Sequence, residues 1–437
     1  MKLTFIAGLK PFQLLALGFF SYVVIGVALL SLPFAQTLPV NFIDNVFNVT
    51  SAVSTTGLTT ISVADSYSFF GELVLLILFQ LGGIGYMTVT SFVILSRGQP
   101  LSETRVKILS AEFTLPKGFE ITRFIQHVIL FTIAIEIIGA AILYFEFRAA
   151  GVKDALWSSI FHSVSAFATA GFSLNNNSLE DFRGNGLVNL TVATLCYMGA
   201  IGFIVMQDAY LAVRHREHHI TFTSKVILGI TAAIFLVLSP LFYLVEPTIQ
   251  GLPTGERLMA AAFQVMTASS TAGFNTIPIG QLSAASLTLI IVAMVIGASP
   301  SGTGGGIKTT SVSALGAILA STLKGNRIVS FFGHKVPMSR LMTAVSATIV
   351  YVCVLQLGLF FLSLTESHDY LKIMFEAASA LGTVGLSMGI TGDLSYWGKW
   401  IVLGLMFMGR VGPLTLGLAL FHSPQDEGNH QESDLAT

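Results

Sequence analysis

Charge is scarce in this chain. Of its 437 residues only 10% are Asp, Glu, Lys or Arg, against roughly 25% in soluble domains. That shortage excludes a soluble globular enzyme, a disordered chain and a nucleic-acid binder. Cysteine is scarcer still: Cys196 and Cys353 both sit inside apolar runs, and offer neither a disulfide framework nor a metal site. HExxH is absent, and no GxGxxG sits in a βαβ pattern, so neither a metalloprotease nor a nucleotide-binding domain is expected. No small-residue cleavage site precedes the first apolar stretch after MKLTFIAGLKPF, so that stretch is expected to stay as a membrane helix. What abounds is hydrophobic residues, 53% of the chain, with mean hydropathy +0.77. Such a chain needs lipid as its solvent.

Eight stretches are long enough to cross a bilayer as helix, which takes about 20 apolar residues. They are 13–34, 71–96, 124–147, 187–213, 223–245, 284–323, 340–364 and 398–421. Between the first and second of each consecutive pair lies a shorter, moderately apolar piece ending in a Gly-containing turn, which reads as a re-entrant hairpin. With the N-terminus and the links after spans two, four and six on one side, that side carries 14 Lys and Arg against 6 on the other. The positive-inside rule then places both termini in the cytoplasm. The external side carries 12 acids, an acidic face expected to concentrate cations over a pore.

The four hairpin ends align without gaps: FNVTSAVSTTGL (47–58), FHSVSAFATAGF (161–172), FQVMTASSTAGF (263–274) and FEAASALGTVGL (375–386). Each has Phe ten before the Gly, Ser or Thr six before, Ala five before and Thr two before. Four copies in register are an internal repeat. The fold expected is therefore all-α, four parallel units of span, pore helix and span around one pseudo-fourfold pore. The units are 1–97, 98–215, 216–324 and 325–421, followed by a polar tail, 422–437.

The residue types point to ion chemistry. A dehydrated alkali cation needs a cage of oxygens, and backbone carbonyls supply one without full charge. Thr55-Thr56-Gly57, Thr169-Ala170-Gly171, Thr271-Ala272-Gly273 and Thr383-Val384-Gly385 are the candidate filter. Gly tolerates the backbone angles that such carbonyls require.

The sixth span is interrupted by Ser301-Gly302-Thr303-Gly304-Gly305-Gly306 after Gly297-Ala298-Ser299-Pro300. Gly costs about 1 kcal/mol and Pro about 3 in a helix interior, so no helix continues there. Irregular backbone at membrane depth is tolerated only against protein or water, so this segment reads as a loop able to block the pore. Its SGTGGGIKTT misses phosphate-loop spacing, because Ile307 separates Gly306 from Lys308. Arg410 lies in mid-span, a costly position unless it faces a polar path. It is expected to face the pore as a barrier or to hold loop carbonyls. Lys308 is expected to snorkel toward the interface. His215, His218 and His219 read as part of a solvated link. Asn48, His162, Gln264 and Glu376, nine before each glycine, form a polar ring that either tunes ions or caps the outer starts of the pore helices. Glu136 has no assigned role.

These motifs resemble the Trk/Ktr/HKT superfamily of potassium transporters over nearly the whole chain, most closely the KtrB-type membrane subunit. The resemblance implies a K⁺-translocating subunit of the bacterial plasma membrane, with one pore per chain and K⁺ held by filter carbonyls. It implies an intramembrane gate, here 301–306, with a charged partner in the fourth unit, here Arg410. It further implies a homodimer and a cytosolic ring of nucleotide-binding, RCK-type regulatory subunits, with no tightly bound cofactor in this chain. Gly57, where Na⁺-preferring relatives tend to carry Ser, favours K⁺. The long TVGYG filter is absent, and Na⁺ activation is compatible with the family. The alternatives are a tightly Na⁺-coupled symporter and a less selective monovalent cation channel.

Overall fold

The computed structural model describes residues 11–112, 120–214, 220–326 and 328–421. His215, His218, His219, Arg327 and the tail lie outside the described residues. Within them the fold is helical, apart from a two-residue hairpin, β1 (Ser330–Phe331) with β2 (His334–Lys335). The first repeat holds α1 (Pro11–Leu30), α2 (Phe42–Val53), α3 (Phe69–Ile84) and α4 (Tyr86–Ser96). A link helix, α5 (Glu103–Glu112), leads to α6 (Ile121–Ala149), α7 (Ala155–Phe167), α8 (Gly186–Ile201) and α9 (Phe203–Arg214). The third repeat is α10 (Phe222–Val245), α11 (Thr254–Ser269), α12 (Ala284–Val295) and α13 (Thr309–Leu323). The fourth is α14 (Met338–Thr365), α15 (Tyr370–Gly382), α16 (Tyr396–Val411) and α17 (Pro413–Phe421).

Among the described residues three helices, α6, α10 and α14, are by themselves long and apolar enough to cross a membrane. The second spans differ from expectation. The sequence points to one broken span, whereas the chain breaks in all four repeats. The α3–α4 pair bends by 87° and the α8–α9 pair by 99°, and Gly412 separates α16 from α17. The physical cause is a glycine at positive φ at each added break: Gly85 at 86°, Gly202 at 91° and Gly412 at 89°.

The repeat consensus has a structural counterpart at each position. Phe47, Phe161, Phe263 and Phe375 are at most 3% exposed and root the short helices α2, α7, α11 and α15 in the core. The second spans start at side-chain caps, where Ser68, Asn185, Ser283 and Ser395 accept first-turn backbone N–H groups, satisfying donors that a helix start leaves open. Gly82, Gly199 and Gly409 lie against the carbonyls of Val53, Phe167 and Leu381, where a Cβ would collide. The second spans thereby pack hard against the ends of α2, α7 and α15.

Candidate functional site

Each short helix ends in the same way. Thr55, Thr169, Thr271 and Thr383 take φ of 53°, 50°, 57° and 51°. Their N–H groups donate to Ala52, Ala166, Ala268 and Ala380, and the next N–H reaches Ser51, Ser165, Thr267 and Ser379 at 2.8–2.9 Å. This is a Schellman ending with Thr in the left-handed place usually taken by Gly. A β-branched residue there is strained, and such strain concentrates at functional sites.

The four glycines that follow form a closed ring. A Cβ on Gly57 would lie 2.5 Å from the Ala170 oxygen and 3.0 Å from the Gly171 Cα. On Gly171 it would lie 2.6 Å from the Ala272 oxygen and 3.2 Å from the Gly273 Cα. On Gly273 it would strike the Val384 oxygen beside Gly385, and on Gly385 the Thr56 oxygen beside Gly57. The order 57, 171, 273, 385 and back to 57 brings all twelve candidate filter residues around one centre. Any side chain at these glycines would overlap its neighbour's backbone.

The irregular segment of the third repeat passes directly against this ring. Thr55 Oγ1 donates to the Thr303 carbonyl at 3.1 Å. Thr169 and Thr303 share a hydroxyl hydrogen bond of 2.9 Å, and the Gly305 N–H donates to Thr383 Oγ1 at 2.9 Å. A Cβ on Gly304 would strike Thr271 Oγ1. All four filter threonines thus meet residues 303–305. The segment is also stitched to the second repeat, with Ser299 and Thr303 N–H groups donating to Ala200 and Gly199 at 3.0 and 3.1 Å. Gly202 must be glycine, because a Cβ would lie 2.5 Å from the Pro300 oxygen and 2.8 Å from Ser301 Oγ.

Arg410 sits at this junction. One guanidinium nitrogen donates to the Thr303 carbonyl and to Thr55 Oγ1; the other donates to the Gly82 and Gly83 carbonyls. Lys308 donates to the Gly304 carbonyl at 2.7 Å. It does not snorkel as expected, because the turn before α13 holds it beside loop carbonyls that accept its charge.

The polar positions behind the candidate filter do not cap helix starts, because each lies in the interior of its short helix. Asn48, His162, Gln264 and Glu376 are all fully buried. Asn48 accepts from the Thr60 N–H at 3.3 Å. His162 Nδ1 donates to the Ser158 carbonyl at 2.7 Å, which leaves Nε2 to accept from Ser173 at 2.9 Å. Glu376 accepts from Ser387 at 2.8 Å and from Thr391. Three of the four therefore tie down the strand leaving the filter. Sequence alone could not show this, since the partners lie 11–15 residues away in loops.

Several outer acids are structural. Glu246 and Glu366 each accept from the backbone N–H and hydroxyl of the serine that caps the following span, Ser283 and Ser395. Asp44 pairs with Lys399 at 2.7 Å, joining the fourth repeat to the first. Burial raises the Asp44 carboxyl, but the Lys399 hydrogen bond and charge, with Asn41, outweigh it and hold the group below its ordinary value. Glu136 accepts from Gln80 at 3.0 Å, bridging the first two repeats.

The chain matches the cation transport protein family (TrkH) over residues 12–431. It is 32% identical to the Ktr system potassium uptake protein B of Bacillus subtilis (strain 168), over 98% of this chain and 96% of the relative. It is 34% identical to the Ktr system potassium uptake protein D of the same organism, over 98% of each. It is also 34% identical to the potassium/sodium uptake protein NtpJ of Enterococcus hirae, over 94% of this chain and 93% of the relative. The crystal structure of the potassium transporter TrkH from Vibrio parahaemolyticus shares the fold, with TM-score 0.73 at 22% identity, covering 94% of this chain and 84% of that one. With the fourfold ring of helix-ended glycines in place, these likenesses make the chain a multi-pass membrane protein of the TrkH cation transport family, a KtrB-type member of the Trk/Ktr superfamily and not an enzyme.

Proposed function

We propose that this chain carries K⁺ across the bacterial plasma membrane through the glycine ring, and that residues 301–306 with Arg410 gate it. The closed order of Gly57, Gly171, Gly273 and Gly385 is the observation that carries this reading. It sets four backbone segments around one centre, where carbonyls can replace the hydration shell of a dehydrated cation. The names of the Ktr relatives supply the ion. Residues 303–305 bond to the filter threonines directly, so ions leaving the ring meet the loop first. Both termini lie in the cytoplasm on this reading. A homodimer works with a separate nucleotide-binding, RCK-type ring that docks on the links 97–123, 214–225 and 324–340 together with the tail, and supplies the regulation. No cofactor is bound in this chain, and Na⁺ acts as an activator rather than as a coupled substrate.

Proteoliposomes loaded with K⁺ and assayed for ⁸⁶Rb⁺ uptake, with Na⁺ as competitor, test the proposal. The parent should take up ⁸⁶Rb⁺ down its gradient without requiring Na⁺. Gly273→Ser should lower discrimination against Na⁺ by about tenfold or more, since its side chain enters the neighbouring backbone. Ion dependence unchanged in a folded Gly273→Ser protein would remove the ring from the ion path. Obligatory stoichiometric Na⁺ uptake would favour the symporter. Equal uptake of both ions would favour the less selective channel, a reading to which the potassium/sodium name of one relative lends weight.

A further inference from the structure

The third quarter of the ring is held differently from the other three. In the first and fourth repeats the serine hydroxyl six residues before the filter glycine accepts that glycine's N–H, Ser51 from Gly57 and Ser379 from Gly385, each at 3.0 Å. In the second, Ser165 donates to the Phe172 carbonyl at 2.8 Å. In the third, the equivalent Thr267 hydroxyl has no partner among the described residues. One step outward, Asn48, His162 and Glu376 hold their own exit strands. Gln264, in the same place and fully buried, has no partner on either amide atom among the described residues. Both internal ties are missing from the repeat that also carries the gate loop.

A different tie replaces them. Asn275, two residues after Gly273, is gripped by the outer loop of the second repeat. Its N–H donates to Ser178 Oγ at 3.2 Å and its side-chain amide donates to Glu180 at 2.8 Å. Its carbonyl accepts the Leu179 N–H at 3.0 Å. Three consecutive residues thus hold one asparagine through backbone and side chain together. Ser178 adopts φ of 56° to do so, a strained choice for a residue with a Cβ. The amide of Asn275 also donates to the Ile277 carbonyl at 3.1 Å, so it fixes its own strand as well as the junction.

We infer that Asn275, latched by Ser178, Leu179 and Glu180 of the neighbouring repeat, is the positioning residue of the third filter segment, and that Gln264 contributes nothing to that segment's geometry. This role presupposes the cation pathway proposed above. Three quarters of the ring are braced from behind by their own pore helices. The third quarter is braced from outside, across a repeat boundary. A latch of that kind makes ion discrimination depend on an outer loop that touches no ion.

Four variants of the full chain in proteoliposomes and detergent test it: Asn275→Ala, Glu180→Ala, Glu180→Gln and Gln264→Leu. Two readouts are taken on each, the K⁺-over-Na⁺ preference of ⁸⁶Rb⁺ uptake and the rise in Tm that added K⁺ gives over Na⁺. Asn275→Ala should cut discrimination about tenfold and shrink the K⁺-specific Tm rise, as loss of a multiply bonded polar group predicts. Glu180→Ala should follow it. Glu180→Gln keeps an acceptor oxygen for the asparagine amide and should behave like the parent; if it matches Ala instead, the carboxylate acts by charge and the latch is refuted. Gln264→Leu should keep full discrimination and an equal or higher Tm, because it removes an unpaired buried amide. A loss of discrimination in Gln264→Leu, or none in a folded Asn275→Ala, overturns the inference. If the parent shows no cation-specific Tm rise and no uptake, the cation pathway itself fails, and that result is distinct from either variant outcome.

Discussion

Arg410 joins three repeats: carried by the fourth, it bonds to Thr55, Gly82 and Gly83 of the first and to Thr303 of the third. Its guanidinium bonds carbonyls beside the ring, and on the proposed reading it sets a positive centre on the ion path. Two like charges about 6–8 Å apart repel by roughly 2–3 kcal/mol at an effective dielectric of 20. Arg410→Gln should then raise ⁸⁶Rb⁺ flux by at least about tenfold, as both the repulsion and the clasp on Thr303 weaken. Arg410→Lys should stay nearer the parent, keeping charge but losing the forked contacts. Tm and single-turnover uptake measured on the same preparation decide it. Lower stability without faster uptake would reduce Arg410 to a structural brace. The depth of this residue was legible in the sequence, since an arginine within an apolar run is conspicuous. Its partners were not, because apart from the Thr55 hydroxyl those described above are backbone carbonyls, to which any residue type contributes alike.

At the scale of elements, the proposed gate segment is a piece of tertiary structure more than a loose connection. Gly297 and Ile307 exchange backbone hydrogen bonds with the other limb, Gly297 donating to Ile307 and Ile307 to Val295, at 3.1 and 3.0 Å. Ala298 donates to Gly305 at 3.0 Å. The limbs close like a hairpin and present 303–305 to the filter threonines. Deleting Gly302–Gly306 should raise flux per folded molecule while leaving ion preference intact, because each filter segment keeps the Schellman bonds of its own pore helix. Parent-level flux in a folded deletion would show the segment to be a static kink. Composition revealed this break, with four glycines and a proline between 300 and 306. The other three breaks were not legible, because glycine pairs within an apolar helix, such as Gly82 and Gly85 or Gly199 and Gly202, are ordinary in lipid. What makes Gly202 a break is the Pro300 carbonyl pressing on it from a distant part of the chain. The short helices were legible for the opposite reason: their Phe, Ser/Thr, Ala and Thr positions answer to contacts within the repeat, and recur four times.

At the scale of the whole molecule, a linear chain of four repeats must close into a ring, and the seam falls between the fourth and the first. The seam has few covalent constraints, since the residues it joins lie 355 apart in sequence. Among the contacts that hold it, two side-chain pairs sit on different levels, Arg410 with Thr55 beside the ring and Lys399 with Asp44 at the outer surface. The Lys399 and Asp44 side chains are 14% and 6% exposed, so water screens the pair only partly. Removing one member leaves a poorly solvated charge behind, at a cost of about 1–3 kcal/mol. Asp44→Asn should therefore lower Tm at neutral pH, and Lys399→Met should lower it less, because Asp44 keeps Asn41 as a donor. The carboxyl is held below its ordinary value in the fold, so its contribution is complete above the unfolded value of about 4 and declines as pH falls through the folded one. The Tm gap between parent and Asp44→Asn should accordingly stay constant from neutrality down to pH 5 and close only below about 4. A gap that narrows between pH 7 and 5 would mean that a group other than Asp44 holds the outer seam, and that the ring closes through the Arg410 level alone.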